Sequence, residues 1–233
     1  MSNSKWFPII KNTGYLILYL FVLCWIAFYS PWRLSKHWLQ NTPEKYKKEL
    51  AAIRRERKKL AQQSNSSNSR TAFVKAIDNH IFPYWYGTFW SFNGTTQVPG
   101  RGSIACGYFV TTVLRDAGLE INRSALAQMP SEQMIKALMS EEHIKRFRNK
   151  SLKEFITQIE KTGEGLYIVG LDNHTGFLVN EGKGVYFVHA SGAYPFCVIR
   201  EKARSATILK KSKYRIIGRI SEDKSVLKSW LKV

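Results

Sequence analysis

Cysteine is scarce in this sequence of 233 residues, which contains only Cys24, Cys106 and Cys197. Three widely separated cysteines cannot form the disulfide framework of a small secreted domain. The sequence also has no Cys-x-x-Cys pair, no His-x-x-x-His pair and no internal repeat. The first two absences leave a zinc site without its usual ligand spacing.

Acidic residues are few as well, with 17 Asp and Glu against 36 Lys and Arg, which gives a formal charge of +19. Residues 1–70 hold 13 basic and 3 acidic residues, residues 71–199 hold 12 and 11, and residues 200–233 hold 11 and 3. A main domain that binds a phosphate backbone should itself carry the charge, so specific nucleic-acid binding is not expected. The apolar content of 44% and aromatic content of 13% exclude global disorder.

Charged residues are absent from residues 12–32, which include the apolar run YLILYLFVLCWIAF. An uncharged run of this length can cross a bilayer as a helix. The sequence therefore predicts a short flank over 1–12 and a transmembrane helix over 13–32. The alternative is a cleaved signal peptide, because Lys5 and Lys11 precede the apolar core, although no small-x-small cleavage site follows it.

Residues 33–70 combine strong helix formers with many basic side chains and end near the polar run SNSSNS. We interpret them as a basic helical stalk with a Ser/Asn linker. The alternative is a basic helix that lies on anionic lipid headgroups.

The predicted folded domain covers residues 71–220, and a basic tail follows over 221–233. Apolar spacing predicts a helix over Tyr108–Gly118 and, with breaks, helices over Ser124–Thr162. From Leu166 onward the period changes to two, in short apolar runs separated by Asp, Asn and Gly. Helices followed by a meander of strands indicate an α+β fold with an antiparallel sheet.

Cys106 stands where a glycine-rich loop passes into a helix. The free N–H groups and positive dipole end of a helix start favour a thiolate, so we predict a lowered pKa for this thiol. A nucleophilic thiol also needs a base within reach. The alternative is that Cys106 is a small buried residue without chemistry.

Two histidines supply candidate partners for the thiol. His174 opens HTGFLV and His189 closes VYFVHA, on either side of a Gly-rich turn. In an antiparallel hairpin with a loop of two or four residues, both side chains lie on the same face and within hydrogen-bonding reach. His174 would then be the general base and His189 would hold its ring in the working tautomer. Two alternatives are that His189 is a core histidine, and that zinc is bound by the cysteine and both histidines.

Six short motifs follow one another along the chain. They are Tyr-x-x-Gly (84–87), Cys106 at the start of CGYFVTTVLRDAG, Gly-Leu-Tyr-Ile (165–168), His-x-Gly-Phe-Leu-Val (174–179), Phe-Val-His-Ala-Ser (187–191) and Tyr-Arg-Ile-Ile-Gly-Arg (214–219). In this order they resemble the NlpC/P60 cysteine peptidases over residues 75–220. The resemblance implies a papain-like fold, in which a nucleophile-bearing helix packs on an antiparallel sheet.

The resemblance also implies residue roles. Cys106 matches the nucleophile, His174 the base and His189 the orienting residue. Tyr84 matches a tyrosine that lines the site and donates to the oxyanion, together with the backbone N–H of Cys106. Neither a cofactor nor a metal is implied. The chain departs from the family at Ala105–Tyr108, where Asp-Cys-Ser-Gly is usual, and in a longer segment over 120–162.

These features lead to the hypothesis of a membrane-anchored thiol hydrolase that cleaves peptide or amide bonds, in peptidoglycan stem peptides, through an acyl-enzyme on Cys106. The alternatives are a non-catalytic, membrane-tethered binding module of the same fold, and a papain-like amidase or acyltransferase with another substrate. The basic ends would contact anionic lipid or wall polymer.

We expect a single-pass protein of the bacterial membrane. Five Lys and Arg over 33–52, against two before the apolar run, point the domain to the cytoplasm by the positive-inside rule. Long domains cross regardless of charge, so the envelope side is favoured and the cytoplasmic side stays open.

Overall fold

The computed structural model of the protein describes residues 19–20, 42–62 and 66–232. The transmembrane helix predicted over 13–32 lies outside these residues, apart from Tyr19 and Leu20. Within the described ranges, no helix combines the length and the apolar character that crossing a membrane requires.

Helices dominate the first half of the described chain and strands the second. The helices are α1 (Pro43–Gln62), α2 (Ser66–Lys75), α3 (Phe82–Trp85), α4 (Cys106–Ala117), α5 (Arg123–Ala127), α6 (Ser131–Leu138), α7 (Leu152–Thr162), α8 (Thr207–Lys211) and α9 (Lys224–Trp230). The strands are β1 (Phe89–Trp90), β2 (Ser103–Ile104), β3 (Ile144–Arg148), β4 (Gly165–Leu171), β5 (Thr175–Asn180), β6 (Val185–Ala190), β7 (Val198–Lys202) and β8 (Tyr214–Gly218). A π-helical turn over Ala76–Ile81 joins α2 to α3.

Six strands form one sheet in the order β3-β8-β4-β5-β6-β7, and every neighbouring pair is antiparallel. The predicted α+β fold with an antiparallel sheet is therefore confirmed. The sheet is buried on both faces, because Ile168 and Phe177 belong to the core around α4, and Tyr167 and Leu178 to the core around α7. Burial on both faces explains why the strands read as nearly continuous apolar runs.

Helix α1, predicted as part of a solvated stalk, packs on the domain. Its residues Tyr46, Ile53 and Leu60 lie seven apart and are buried in the main core, so they form one face of the helix. Arg57 on the same helix is also buried, and its guanidinium donates a hydrogen bond of 2.6 Å to the carbonyl oxygen of Trp230. The start of the folded domain therefore moves from the predicted linker to the beginning of α1.

The C-terminal segment, predicted as a basic tail, forms helix α9 and is equally packed. Asp223 caps this helix by accepting hydrogen bonds from the backbone N–H groups of Ser225 and Val226, at 2.8 and 3.0 Å. Trp230 is buried, and its indole N–H donates to the carbonyl oxygen of Ala117 at 2.8 Å, at the end of α4. The basic side chains of this segment therefore lie on a helix that belongs to the domain.

The segment over 120–162, longer than the family pattern needs, forms α5, α6, β3 and α7. Its prediction as interrupted helix needs a correction, because residues 144–148 are a strand that pairs with β8 along its whole length. Without β3, strand β8 would present an unpaired edge, and pairing satisfies its backbone groups. Helix α7 covers the second sheet face with Phe155, Ile156 and Ile159.

Candidate active site

Cys106 is the first residue of α4, as the sequence predicts. The capping residue Ala105 has an extended backbone and provides no side-chain cap, so the N–H groups of the first turn remain available to the site. The helix is fixed by its buried apolar face, on which Phe109 contacts Phe177 of β5 with ring centroids 6.0 Å apart. The thiol lies beside the backbone N–H of Thr175, where β5 begins.

Burial raises the pKa of the Cys106 thiol above its ordinary value. The backbone N–H groups of Thr175, Gly107 and Cys106 itself act in the opposite direction, but they do not outweigh the loss of water. The predicted lowering of this pKa is therefore corrected. Desolvation disfavours the charged thiolate, and at Cys106 this effect is larger than the favourable effect of the helix start.

The two histidines lie on the same face of the sheet, as the parity argument predicts. Asn180 pairs with Val185 across a loop of four residues, so His174 and His189 are diagonal neighbours. His174 Nε2 lies 2.9 Å from His189 Nδ1, with the ring planes nearly perpendicular. The prediction that they reach each other is confirmed.

Glu201 on β7 extends this pair and was missed in the sequence. His189 Nε2 lies 3.0 Å from Glu201 Oε1. His189 pairs with Ile199, so Glu201 stands two residues further along the neighbouring strand, on the same face. No local pattern indicates this contact, because Glu201 lies in a charged run and reaches His189 only through the pairing of β6 with β7.

The order of these hydrogen bonds determines where the protons lie. The carboxylate oxygen of Glu201 can only accept, so His189 carries its proton on Nε2. His189 Nδ1 is then an acceptor, and His174 must donate from Nε2. His174 Nδ1 is left with a free lone pair, which a general base requires.

His189 is buried and His174 is half-buried, and the pKa values of both are lowered from the ordinary 6.5. Burial is the main cause for each ring. The neighbouring His189 lowers the pKa of His174 further, whereas Glu201 opposes the lowering at His189. The directions of these three shifts all disfavour an ion pair between the thiol and an imidazole.

His189 is held in place by close packing on both sides. Its ring stacks on Phe187 with centroids 3.9 Å apart and an interplanar angle of 11°. Gly176 stands directly opposite on β5, and a Cβ there would lie 2.8 Å from the Cβ of His189 and 2.8 Å from the Phe187 ring. The glycine in the His-Thr-Gly motif is therefore what allows the histidine ring to approach the strand.

We expect the Gly176→Ala variant to lower the free energy of unfolding by about 1–3 kcal/mol, because the added methyl overpacks a filled site. A denaturant titration followed by circular dichroism measures this loss. Gly184→Ala is the matched control, since a Cβ there meets nothing within 4 Å. Equal stability of both variants would contradict the packing described for His189.

The candidate nucleophile and base line one cavity of about 470 Å³, together with Met129, Glu132 and Asp172. The pKa of the Glu132 carboxyl is lowered by hydrogen bonds from the side chains of Tyr214 and Arg146. The pKa of the Asp172 carboxyl is lowered chiefly by a hydrogen bond from the backbone N–H of Lys213. A second cavity of about 320 Å³ lies on the other side of His174 and is lined by Trp90 and Gly192. The two cavities share the lining residues 171–174, and we call them together the cleft.

Gly107 explains one departure from the family motif. A side chain at this position would collide with the carbonyl oxygen of Ala127, at the end of α5. The serine of the motif that this segment resembles therefore does not fit, because the end of α5 packs directly on the start of α4.

Tyr84 is not brought to this cleft. Its ring lies 5.2 Å from that of Tyr46 on α1, and its pKa is raised by burial and by the charge of Glu49. The side chain packs toward α1 because α1 belongs to the domain core, so the expected role of Tyr84 as an oxyanion donor finds no support in the geometry. The backbone N–H of Cys106 is the donor that remains at the nucleophile.

The zinc alternative meets a geometric obstacle. Both ring nitrogens of His189 lie within hydrogen-bonding distance of other side chains, His174 and Glu201. In the part of the chain that the structure describes, no group of three His, Cys, Asp or Glu side chains is arranged to hold a metal ion.

Comparison with known proteins returned no match: no protein-family model, no curated protein and no solved structure is similar to this chain. What the site does must therefore be inferred from its own geometry and from the motifs that it carries.

Proposed function

We propose that the protein is a thiol hydrolase that cleaves peptide or amide bonds through an acyl-enzyme on Cys106. The observation that carries this proposal is the chain of hydrogen bonds from Glu201 through His189 to His174, with distances of 3.0 and 2.9 Å. It leaves a basic nitrogen at the cavity that also holds a thiol at a helix start. A positioned base and an orienting third residue are the parts that nucleophilic catalysis needs.

In the acylation step, Cys106 Sγ attacks the carbonyl carbon as His174 Nδ1 takes the thiol proton. Concerted transfer suits a site whose thiol pKa is raised and whose imidazole pKa is lowered, because neither ion is present at rest. The backbone N–H of Cys106 donates to the oxyanion that forms. His174 then gives its proton to the leaving amine, and the C–N bond breaks to leave a thioester.

In the deacylation step, a water molecule donates a proton to His174 Nδ1 as its oxygen attacks the thioester carbonyl. The C–S bond breaks, the product leaves as a carboxylic acid, and His174 returns the proton to the sulfur. Glu201 stabilises the charge that the two rings carry during both steps, because its carboxylate accepts from His189.

The proposed substrate class is the peptidoglycan stem peptide, cut by a papain-like domain that is held at the bacterial membrane by the helix predicted over 13–32 and faces the envelope side. The family resemblance supports this choice. The cleft supports it as well, because its cavities of about 470 and 320 Å³ on the two sides of His174 offer room for an extended peptide across the scissile bond.

The test uses the full chain with purified peptidoglycan and with soluble stem peptides, and it analyses the products by mass spectrometry. We expect a new amine and a new carboxylic acid from one amide bond, and loss of this activity when iodoacetamide modifies Cys106. Unchanged hydrolysis by protein whose Cys106 is fully alkylated would overturn the proposal.

A second candidate function, a binding module without catalysis, is favoured by the raised pKa of Cys106. Such a module would retain stem peptides reversibly and release them uncut. Binding measured by calorimetry, with no product in the mass spectrum after prolonged incubation, would identify it.

We expect kcat/KM to stay constant as the pH falls through 6.5, because burial keeps His174 unprotonated well below its ordinary pKa. Activity should fall only when the pH approaches the lowered pKa of the buried pair. On the alkaline side, the raised thiol pKa extends the plateau beyond pH 9.0, the ordinary value. A pH–rate profile measures both limits, and an acidic midpoint at or above 6.5 would contradict the neutral resting pair.

Glu201→Gln should lower kcat about tenfold and leave KM unchanged, since an amide oxygen still accepts from His189 but carries no charge to stabilise the imidazolium. The acidic limit of the pH–rate profile should also move to lower pH, because the carboxylate raises the pKa of His189. Glu160→Gln on α7, paired with Arg204 away from the site, is the control. An unchanged profile would show that Glu201 does not act on the pair.

A further inference from the structure

The large apolar side chains that stay exposed on residues 42–62 and 66–232 gather around the cleft. They are Phe89, Phe92, Met129, Tyr194 and Phe196, with exposed fractions of 39–81%. Met129 lines the cavity that holds Cys106. Phe89 lies on β1, Phe92 lies in the turn after it, and Tyr194 and Phe196 lie on the loop between β6 and β7. We name these four aromatic residues the aromatic rim.

Backbone contacts join the two halves of the aromatic rim and attach it to the second cavity. The N–H of Trp90 donates to the carbonyl oxygen of Phe196 at 2.7 Å, and Phe89 forms a β-bridge with Cys197. Trp90 and Ala193, which stand between the rim residues, line the cavity on the far side of His174. The rim residues are therefore sequence neighbours of two residues that line the second cavity.

Phe196, one of the rim residues, has a backbone conformation that bulky residues rarely adopt. Phe196 has φ of 55°, in the left-handed region that bulky residues avoid, and its ring is half exposed. Burial of the ring does not explain this conformation. Strained residues of this kind concentrate at sites of binding.

Basic side chains border the same cleft. Lys211 lines the second cavity, and both Lys210 and Lys213 are exposed beside it. Aromatic rings with neighbouring lysines are typical of proteins that rest on anionic lipid, because the rings settle among the headgroups and the ammonium groups pair with phosphate.

The chain also enters the domain on this side. Glu44, in the first turn of α1, lies within electrostatic reach of Arg101. Arg101 lies two residues before Ser103, the first residue of β2, and Ser103 pairs with Phe89 of β1. The first residues of α1 therefore lie near the strand pair that carries Phe89.

We propose that the aromatic rim docks on the surface of an anionic bilayer, so that the cleft opens toward the lipid headgroups. The exposed rings supply the apolar contact, and the lysines of α8 supply the charge. Docking requires neither Cys106 nor turnover, so it can fail while the proposed hydrolase stands, and the reverse is equally possible.

The experiment measures hydrogen–deuterium exchange of the full chain in phosphatidylglycerol nanodiscs and in phosphatidylcholine nanodiscs. We expect slower exchange in peptides that cover 88–97 and 191–198 with the anionic lipid, and unchanged exchange in α7. The double variant Phe92→Ser and Phe196→Ser should lose this protection, as should Lys210→Ser with Lys211→Ser. Lys153→Ser with Lys161→Ser, two exposed lysines of α7, is the matched control.

Three outcomes would overturn the proposal. The first is equal exchange of the rim peptides in both lipids, and the second is protection that survives in the Phe92 and Phe196 double variant. The third is protection by soluble peptidoglycan fragments but not by either bilayer, which would identify the rim as a saccharide platform instead. Circular dichroism of each variant confirms that loss of protection does not reflect unfolding.

Discussion

Cys106→Ala should reduce kcat/KM for amide hydrolysis by about 10⁴- to 10⁶-fold, because the variant has no atom that can form the thioester. The structure indicates that the fold should survive this change. Cys106 is only partly buried at the first position of α4, and Phe109 and Val110 carry the packing of the helix. Thermal unfolding should therefore change little while turnover disappears. Steady-state kinetics with a soluble stem peptide measures the loss.

Cys197→Ala is the matched control for this variant. Cys197 is the other free cysteine in the described residues, and it is fully buried directly before β7. Burial raises its pKa to about 11. It should keep full activity, with a modest loss of stability from the smaller side chain. Equal activity of the Cys106 variant and this control would exclude covalent catalysis at Cys106.

His174→Ala should lower kcat by about 10²- to 10⁴-fold, which is what a positioned general base typically contributes. The variant leaves the thiol, the cleft and the helix start intact, so substrate binding should be retained. Its thiol pKa remains raised by burial, so no thiolate forms to compensate for the missing base. Single-turnover kinetics should show that acylation is the slowed step.

A rescue experiment distinguishes a base from a structural histidine. Removal of the ring enlarges a cavity of about 470 Å³ that is already open to solvent, so added imidazole should enter and restore part of the rate. His143→Ala, which changes a half-buried histidine beside Glu142 in the 3₁₀ turn over Glu141–His143, is the matched control and should keep wild-type activity. Absence of rescue, together with normal kcat in the variant, would contradict the role of His174.

Features that depend on local periodicity could be predicted from the sequence. The start of α4 at Cys106 follows from a glycine-rich loop before an apolar helical pattern, and the structure confirms it. The common face of His174 and His189 follows from the period of two in strands and an even loop, and the register confirms this too. The start of α4 and the common face of the two histidines both depend on local backbone geometry, which residues close in the sequence determine.

Features that depend on contacts across the chain could not be predicted in this way. Only three apolar residues, spaced seven apart, pack α1 on the domain. Because most other residues of this helix are charged, the sequence pattern does not indicate a buried face. The raised pKa of Cys106 reflects desolvation by surrounding elements, and no local pattern reports it. Glu201 requires the pairing of β6 with β7, and Gly107 requires the approach of α5, both of which exist only in the folded chain.

The most direct test of the central claim is a rapid-quench experiment that traps the acyl-enzyme. The full chain is mixed with a soluble stem peptide, quenched in acid within one turnover, digested and analysed by mass spectrometry. We expect the acyl fragment of the substrate on the peptide that contains Cys106, with removal by hydroxylamine, as for a thioester. Turnover that proceeds with Cys106 unmodified at every time point would contradict nucleophilic catalysis by this residue.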